Sequence, residues 1–259
     1  MLNGETACPM PPGFYLMDCM EAMKRFPDRF FDLAICDPPY GIGADGFNNG
    51  SGASKDKAVY GTAQRLRKNR LNSGGGALKN RCLNQSDCSW DTSPPGPEYF
   101  AELMRVSQNQ IIWGGNYFDL PPTRGIIIWD KVQPWENFSQ VEMAWTSFDT
   151  PAALFKMNNC MGGKIHPTQK PVALYSWILS RYAKPGYRIL DTHVGSASSL
   201  IACHRAGLDF WGFEIDPIYF AEARKRLEKE QAQVNMMEIL REQEQVEQMQ
   251  LWTDTEDGR

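Results

Sequence analysis

Asp37-Pro38-Pro39-Tyr40 follows directly on the apolar run Phe30-Phe31-Asp32-Leu33-Ala34-Ile35-Cys36. The arrangement puts a carboxylate, two rigid peptide units and an aromatic ring where a buried strand is expected to end. Consecutive prolines fix φ near about −65° and remove two backbone donors, so their carbonyls are left as outward-facing acceptors. Such a corner can hold an amino group between the Asp37 carboxylate and the Pro38 carbonyl, while Tyr40 offers a flat face to a planar base. A polar turn after a strand is the plainer use of the same four residues.

Further acids at expected strand ends weigh against the plain reading. Arg188-Ile189-Leu190-Asp191-Thr192-His193-Val194-Gly195-Ser196-Ala197-Ser198 reads as strand, acidic tip, small-residue loop and helix start. Small residues let backbone approach a ligand, and a new helix presents free N–H groups. Within Arg188 to Ser198 there is neither a phosphate-cradling Gly-x-x-x-x-Gly-Lys-Ser/Thr nor a Gly-x-Gly-x-x-Gly. An acid at the tip therefore suits a ligand bearing an amine or hydroxyls. Phe210-Trp211-Gly212-Phe213-Glu214-Ile215-Asp216 ends in acids roughly 20 residues further on, where doubly wound folds bind ribose hydroxyls. Asp18, after the first expected strand, could accept a hydrogen bond from an adenine amino group. Acids at strand tips also serve as helix caps, and a polar loop residue is the bland alternative for His193.

These corners need a sheet to hold them. Short apolar runs alternate with amphipathic stretches, which predicts an α/β fold, a doubly wound and mostly parallel sheet covered on both faces. Strands are expected at Phe14–Met17, Phe31–Cys36, Gln110–Trp113, Ile126–Trp129, Val141–Thr146, Arg188–Leu190 and Phe210–Ile215. Helices are expected at Cys19–Phe26, Glu98–Val106, Pro171–Ala183, Ser196–Ala206 and from Pro217 to Glu230 onward. The 259 residues suit one such domain over 1–230, with an insertion at about 41–93 and an acidic helical or disordered tail over 231–259. No apolar run approaches the roughly 20 residues that span a bilayer, and Met1 to Pro12 lacks a basic-then-apolar leader, so a cytoplasmic protein is expected. The seven cysteines form no Cys-x-x-Cys pair, which predicts free thiols and no metal site.

The net charge of −4 conceals an uneven distribution. Lys55, Lys57, Arg65, Arg67, Lys68, Arg70, Lys79 and Arg81 stand against Asp56 alone, a local +7 that leaves −11 on the rest of the chain. A basic loop on an acidic body is the footprint expected of a polyanion site, and a solvated surface insertion has the same composition. Met157 to Lys164 is a second candidate recognition loop. Trp90, Trp113 and Trp135 are expected to pack in the core or in loops. In the tail, Gln248-Met249-Gln250-Leu251-Trp252 resembles the short peptides by which bacterial replication and repair proteins bind the sliding clamp.

Taken in order, the motifs resemble the amino-group (N6-adenine/N4-cytosine) DNA methyltransferases that use S-adenosylmethionine, in the permuted order with the Asp-Pro-Pro-Tyr motif ahead of the cofactor motif. The resemblance covers about Phe14 to Leu227. It rests on Asp18-Cys19, Phe31 to Tyr40, Ile126 to Lys131, His166-Pro167-Thr168-Gln169-Lys170-Pro171, Asp191 to Ser199 and Gly212 to Asp216 with Tyr219, Ala223 and Arg226-Leu227. It implies a Rossmann-like fold and S-adenosylmethionine as cofactor. It puts Asp191 and Gly195 at the methionine part of the cofactor, with His193, Ser196 and Asp216 in the same pocket. Glu214 falls at the ribose, Asp18 at adenine, and Thr168, Gln169 and Lys170 near the carboxylate end. Where the family has Asp-Pro-Phe-x-Gly-Ser-Gly-Thr, this chain has Asp191-Thr192-His193-Val194-Gly195-Ser196-Ala197-Ser198; Ala197 can stand for Gly near a helix start, and the His193 ring for Phe.

The resemblance further implies double-stranded DNA as partner, a flipped-out target and direct methyl transfer. Catalysis is expected of Asp37, Pro38, Pro39 and Tyr40, and adenine N6 is the expected acceptor because Asp-Pro-Pro-Tyr is the commoner adenine form. The alternatives are cytosine N4, a DNA-binding protein impaired in catalysis, and an RNA or protein-amide acceptor. Neutralising Arg65, Arg67, Lys68 and Arg70 together should weaken DNA binding and flatten the slope of log affinity against log salt by up to about 0.9 for each phosphate no longer neutralised; an unchanged slope in a salt titration would show that this loop does not meet phosphate.

Overall fold

A computed structural model of the protein describes residues 10–42, 91–133, 139–159, 164–166 and 168–233. Its strands are β1 (Gly13–Leu16), β2 (Leu33–Cys36), β3 (Gln110–Trp113), β4 (Ile126–Asp130), β5 (Val141–Thr146), β6 (Ala153–Lys156), β7 (Arg188–Asp191) and β8 (Asp209–Glu214). They join in one sheet in the order β1-β8-β7-β2-β3-β5-β4-β6. Among these described strands, only β5 runs antiparallel to its neighbours. The helices are α1 (Cys19–Met23), α2 (Pro97–Val106), α3 (Val172–Tyr182), α4 (Ser198–Arg205) and α5, described over 217–233. This is the Rossmann-like α/β architecture that the alternating pattern predicts. Among the described residues, no helix is long and apolar enough to cross a membrane.

Period-two alternation explains why the central strands read as continuous apolar runs. Leu33 and Ile35 of β2, Ile111 and Trp113 of β3 and Ile189 of β7 pack in one core with Leu174 and Ile178 of α3 and Ala202 of α4. Their neighbours Ala34, Cys36, Ile112 and Leu190 pack on the opposite face with Met23 of α1 and Leu103 of α2. Both faces are covered, so neither set of side chains can be polar. A third cluster, Val194, Leu200, Ile201, Ala223 and Leu227, seats α4 against α5.

Several boundaries differ from expectation for local reasons. The strand expected from Phe31 begins at Leu33, because Asp32 turns its carboxylate onto the Arg188 backbone N–H at 2.9 Å and side chain at 3.1 Å. The helix expected from Ser196 begins at Ser198, because Gly195 and Ala197 hold left-handed φ values of +53° and +60°. Strand β6 was not expected. It is four residues long, pairs among the described strands with β4 alone at the sheet edge, and leaves Leu154 exposed, and its apolar stretch Ala152 to Phe155 is short and lacks β-branched residues.

Helix α2 buries Tyr99, Leu103 and Val106 at helical spacing. Arg105, held by Glu102 on its own helix, ties α2 to the α1 side through Asp28 and the Met23 and Phe26 carbonyls. Leu103 is fully buried in the core that backs β2 and β3. Leu103→Ala should cost about 2–5 kcal/mol in denaturant unfolding, and a loss well under 1 kcal/mol would mean that α2 is not seated on this core.

Candidate active site at the carboxyl edge of the sheet

Strands β1, β8, β7 and β2 are adjacent and parallel, and each delivers a carboxylate just past or at its C-terminal end. Register aligns Leu16 with Glu214, Gly212 with Asp191, and Ala34 with Leu190, so Asp18, Glu214, Asp191 and Asp37 line one edge of the sheet. Open parallel sheets bind ligands at this edge.

The four acids are held in different ways. Asp18 Oδ1 accepts from the Met20 and Glu21 N–H groups at 2.8 and 3.0 Å and so caps α1. Glu214 Oε2 accepts from Gly195 N–H at 2.8 Å, and its Oε1 accepts from Ile215 and Asp216 N–H at 2.9 Å. Asp191 Oδ1 accepts from His193 N–H at 3.0 Å, and Oδ2 accepts from the Ser199 hydroxyl. Those two donors do not offset its burial, which pushes the Asp191 carboxyl up to about 7. Burial raises Glu214 as well, against the lowering effect of its backbone donors. Asp216 is 1% exposed and accepts from Ile218 and Tyr219 N–H, which makes it the cap of α5.

The loop after β7 is organised by a chain of polar contacts. The Tyr99 hydroxyl meets Thr192 Oγ1 at 2.6 Å, and Thr192 Oγ1 meets His193 Nδ1 at 2.9 Å. The His193 ring stands edge-on to Tyr99 with centroids 5.4 Å apart, and burial lowers its pKa to about 4, so it is a neutral aromatic at pH 7. Ala197 sits where the expected pattern has its second glycine and holds φ +60°, a conformation that costs a non-glycine residue about 1–2 kcal/mol. Ser196 meets Ser198 Oγ at 3.2 Å, and its carbonyl accepts from Arg226.

The segment before α3 bridges the two halves of the edge. The His166 ring lies 4.2 Å from Tyr219 and within van der Waals reach of a Cβ placed on Gly195. Burial and Lys170 lower its pKa to about 3. Thr168 donates to His166 Nδ1 and is itself exposed, whereas Gln169 Oε1 accepts from Ile165 N–H at 2.9 Å. Lys170 turns away from its two predecessors, and its Nζ donates to Asp37 Oδ2.

At the end of β2 the polar groups converge. The Tyr40 hydroxyl donates to Asp37 Oδ1, and Lys170 Nζ lies 3.5 Å from that hydroxyl. Glu142 of β5 is 3.1 Å from Lys170 Nζ and 2.6 Å from Lys131 Nζ. Burial alone would lower the Lys170 ammonium, but Asp37 and Glu142 outweigh it and raise its pKa. Burial likewise opposes the charge on Glu142, and Lys170 and Lys131 prevail and lower its pKa. Burial, then Asp37 and Glu142, push the Tyr40 phenol well above its ordinary value.

The Tyr40 ring stacks on Tyr117 at 4.9 Å and 11°, and Phe118 meets it edge-on at 6.0 Å. Gly114 makes this possible. Its φ is +71°, and a Cβ there would lie 2.2 Å from the Tyr40 ring. Gly41 also holds a left-handed φ of +70° and donates to buried Asp91 at 2.8 Å, which fixes the turn out of the motif.

Sequence reasoning did not single out Glu142, Tyr117, Gly114 or Tyr99, and took Lys131 and His166 only as motif letters. A carboxylate inside the otherwise apolar β5 was the available signal for Glu142. Trp113 is fully buried, as expected of a core residue. Lys55, Lys57, Arg65, Arg67, Lys68, Arg70, Lys79 and Arg81, with Trp90, Trp135 and Gln248 to Trp252, lie outside the described residues, and so does part of Met157 to Lys164. Among the described residues, no group of three His, Cys, Asp or Glu side chains is arranged to hold a metal.

A family model described as DNA methylase matches residues 112–225, from β3 into α5. Type II methyltransferase M2.DpnII of Streptococcus pneumoniae is 27% identical over 244 residues, covering 82% of this chain and 88% of the relative. Type II methyltransferase M2.LlaDCHI of Lactococcus lactis subsp. cremoris is 24% identical over 243 residues, with 82% and 87% covered. Among solved structures, PvuII DNA methyltransferase (cytosine-N4-specific) is similar in fold at a TM-score of 0.50 and 14% identity, covering 86% of this chain and 91% of that one. In its motif order and across these matches, the chain is similar to the amino-group (N6-adenine/N4-cytosine) DNA methyltransferases.

Proposed function

We propose that the protein methylates the exocyclic N6 of adenine in double-stranded DNA, with S-adenosylmethionine as donor. The observation that carries this reading is Asp37, a carboxylate at the sheet's ligand edge, fixed by Tyr40 and a buried ammonium and adjoining Pro38. Asp-Pro-Pro-Tyr favours adenine over cytosine within the family. The edge residues suit such a donor: three further carboxylates at neighbouring strand ends fit a ligand rich in hydroxyls and amines, and the left-handed turn at Gly195 brings backbone close to it.

When bound, S-adenosylmethionine supplies an electrophilic methyl group on sulfur. The chain's own residues must prepare the acceptor. An exocyclic amine is a weak nucleophile because its lone pair is delocalised into the ring. Hydrogen bonds accepted by the Asp37 carboxylate and the Pro38 carbonyl favour a pyramidal nitrogen with its lone pair aimed outward. Asp37 or a water molecule takes the proton that leaves nitrogen. Tyr40 stacks on the flipped base, with Tyr117 behind it as a second ring. No covalent enzyme intermediate is needed. Lys55 to Arg81 would hold the DNA backbone.

Asp37→Ala should abolish methyl transfer to unmethylated DNA, measured with isotope-labelled donor, and leave donor affinity by calorimetry within several-fold; loss of donor binding instead would mean that Asp37 belongs to the cofactor pocket. A pH dependence follows from Asp191, whose carboxyl holds its proton up to about pH 7 in the free protein. Beside a cationic donor the ionised form is favoured, so donor affinity should fall about tenfold per unit as the pH drops below about 7 and level off above it. A flat calorimetric profile across that range would remove Asp191 from the donor's cationic end.

A further inference from the structure

The charges around Asp37 form a closed row. Lys131 stands on Glu142, Glu142 on Lys170, and Lys170 on Asp37, so two ammoniums balance two carboxylates. The row is assembled from the residue after β4, from β5, from the segment before α3 and from the end of β2. The Lys170 side chain is 2% exposed, against 12% for Lys131, 18% for Asp37 and 24% for Glu142, so Lys170 is the buried link of the row and Asp37 is its member at the ligand edge. The other titratable groups whose fields reach it are Tyr40, Tyr175 of α3, Asp191 of β7 and His166. Lys170 Nζ also lies 5.1 Å from the centre of the Trp113 ring, which shields it from water.

In the free protein, then, the carboxylate that must receive an amine already carries one. An incoming exocyclic amine has to share or displace the Lys170 ammonium on Asp37. A buried ammonium cannot simply be released, because an unpaired charge away from water is heavily disfavoured. Glu142, 3.1 Å from the same nitrogen, supplies the alternative partner. Lys131 keeps Glu142 charged in either arrangement.

We propose that Lys170 is a positioning residue for the target rather than a cofactor ligand: it holds Asp37 aimed and charge-balanced while the site is empty, and yields it to the target amine by withdrawing onto Glu142. The proposal rests on the reading that Asp37 receives an exocyclic amine.

The test uses the full chain. NMR titration of the Lys170 ammonium should give a midpoint above that of an ordinary lysine, and the midpoint should fall in both Asp37→Asn and Glu142→Gln; an unmoved midpoint in Asp37→Asn overturns the pairing. Lys170→Met should lose at least tenfold in kcat on unmethylated DNA and keep donor affinity by calorimetry within several-fold. Loss of donor affinity together with activity would return Lys170 to the cofactor pocket. Glu142→Gln, which retains the Lys170–Asp37 pair should Lys170→Met fail to fold, should raise KM for DNA several-fold and by more than it lowers kcat. An unchanged KM overturns the withdrawal. If the unaltered protein marks no polynucleotide, the reading of function fails, and the Lys170 titration still decides whether Lys170 serves Asp37.

Discussion

Four carboxylates delivered to one edge of a parallel sheet must each find donors, and the way each does so sorts the edge into roles. Asp18 and Glu214 lean on backbone N–H groups, which cost nothing in buried cations and leave a polar, acidic rim. Asp191 finds too little and is pushed up by burial, so it is the acid most sensitive to a cationic ligand. Asp37 is met by a buried ammonium that is itself shared with a second carboxylate. In the function proposed above, these differences in donor supply separate a cofactor side from a target side along adjacent strands.

The fold serves this edge by being rigid beneath it. Alternating side chains on β2, β3 and β7 fill two cores at once, so the strand ends cannot shift without disturbing both. Helix α2 reaches from one of those cores to the loop after β7 through Tyr99 and Thr192. Gly114 lets Tyr40 lie flat against Tyr117, which leaves the aromatic wall beside Asp37 already formed. The His166 segment touches the Gly195 turn at one end and delivers Lys170 to Asp37 at the other, a physical link between the two halves.

Much of this was legible in the sequence, because strand and helix periods follow directly from which faces are buried. Among the described residues, every strand but β6 and all of the helices fall where the apolar runs and caps put them. Strand β6 escaped because its apolar stretch, Ala152 to Phe155, is short and carries no β-branched residue to mark it as a strand. The acids at the strand ends were legible as a group, but their individual partners were not. Asp216 reads as a ligand by position, and its capping of α5 was not read there. Lys170 reads as part of a cofactor motif, and its partners Asp37 and Glu142 are far away in the chain, where a charged residue looks like any solvated one. The left-handed Ala197 keeps the turn that the family builds with glycine, which the letters alone could only allow.

The central claim is that Asp37 and the Pro38 carbonyl prepare an exocyclic amine for attack on a methyl group. Mass spectrometry of nucleosides from unmethylated DNA, after incubation with the protein and isotope-labelled S-adenosylmethionine, identifies the methylated atom. The account predicts label on N6 of adenine. Label on a ring carbon, or none on any nucleoside while the donor is demonstrably bound, would contradict it.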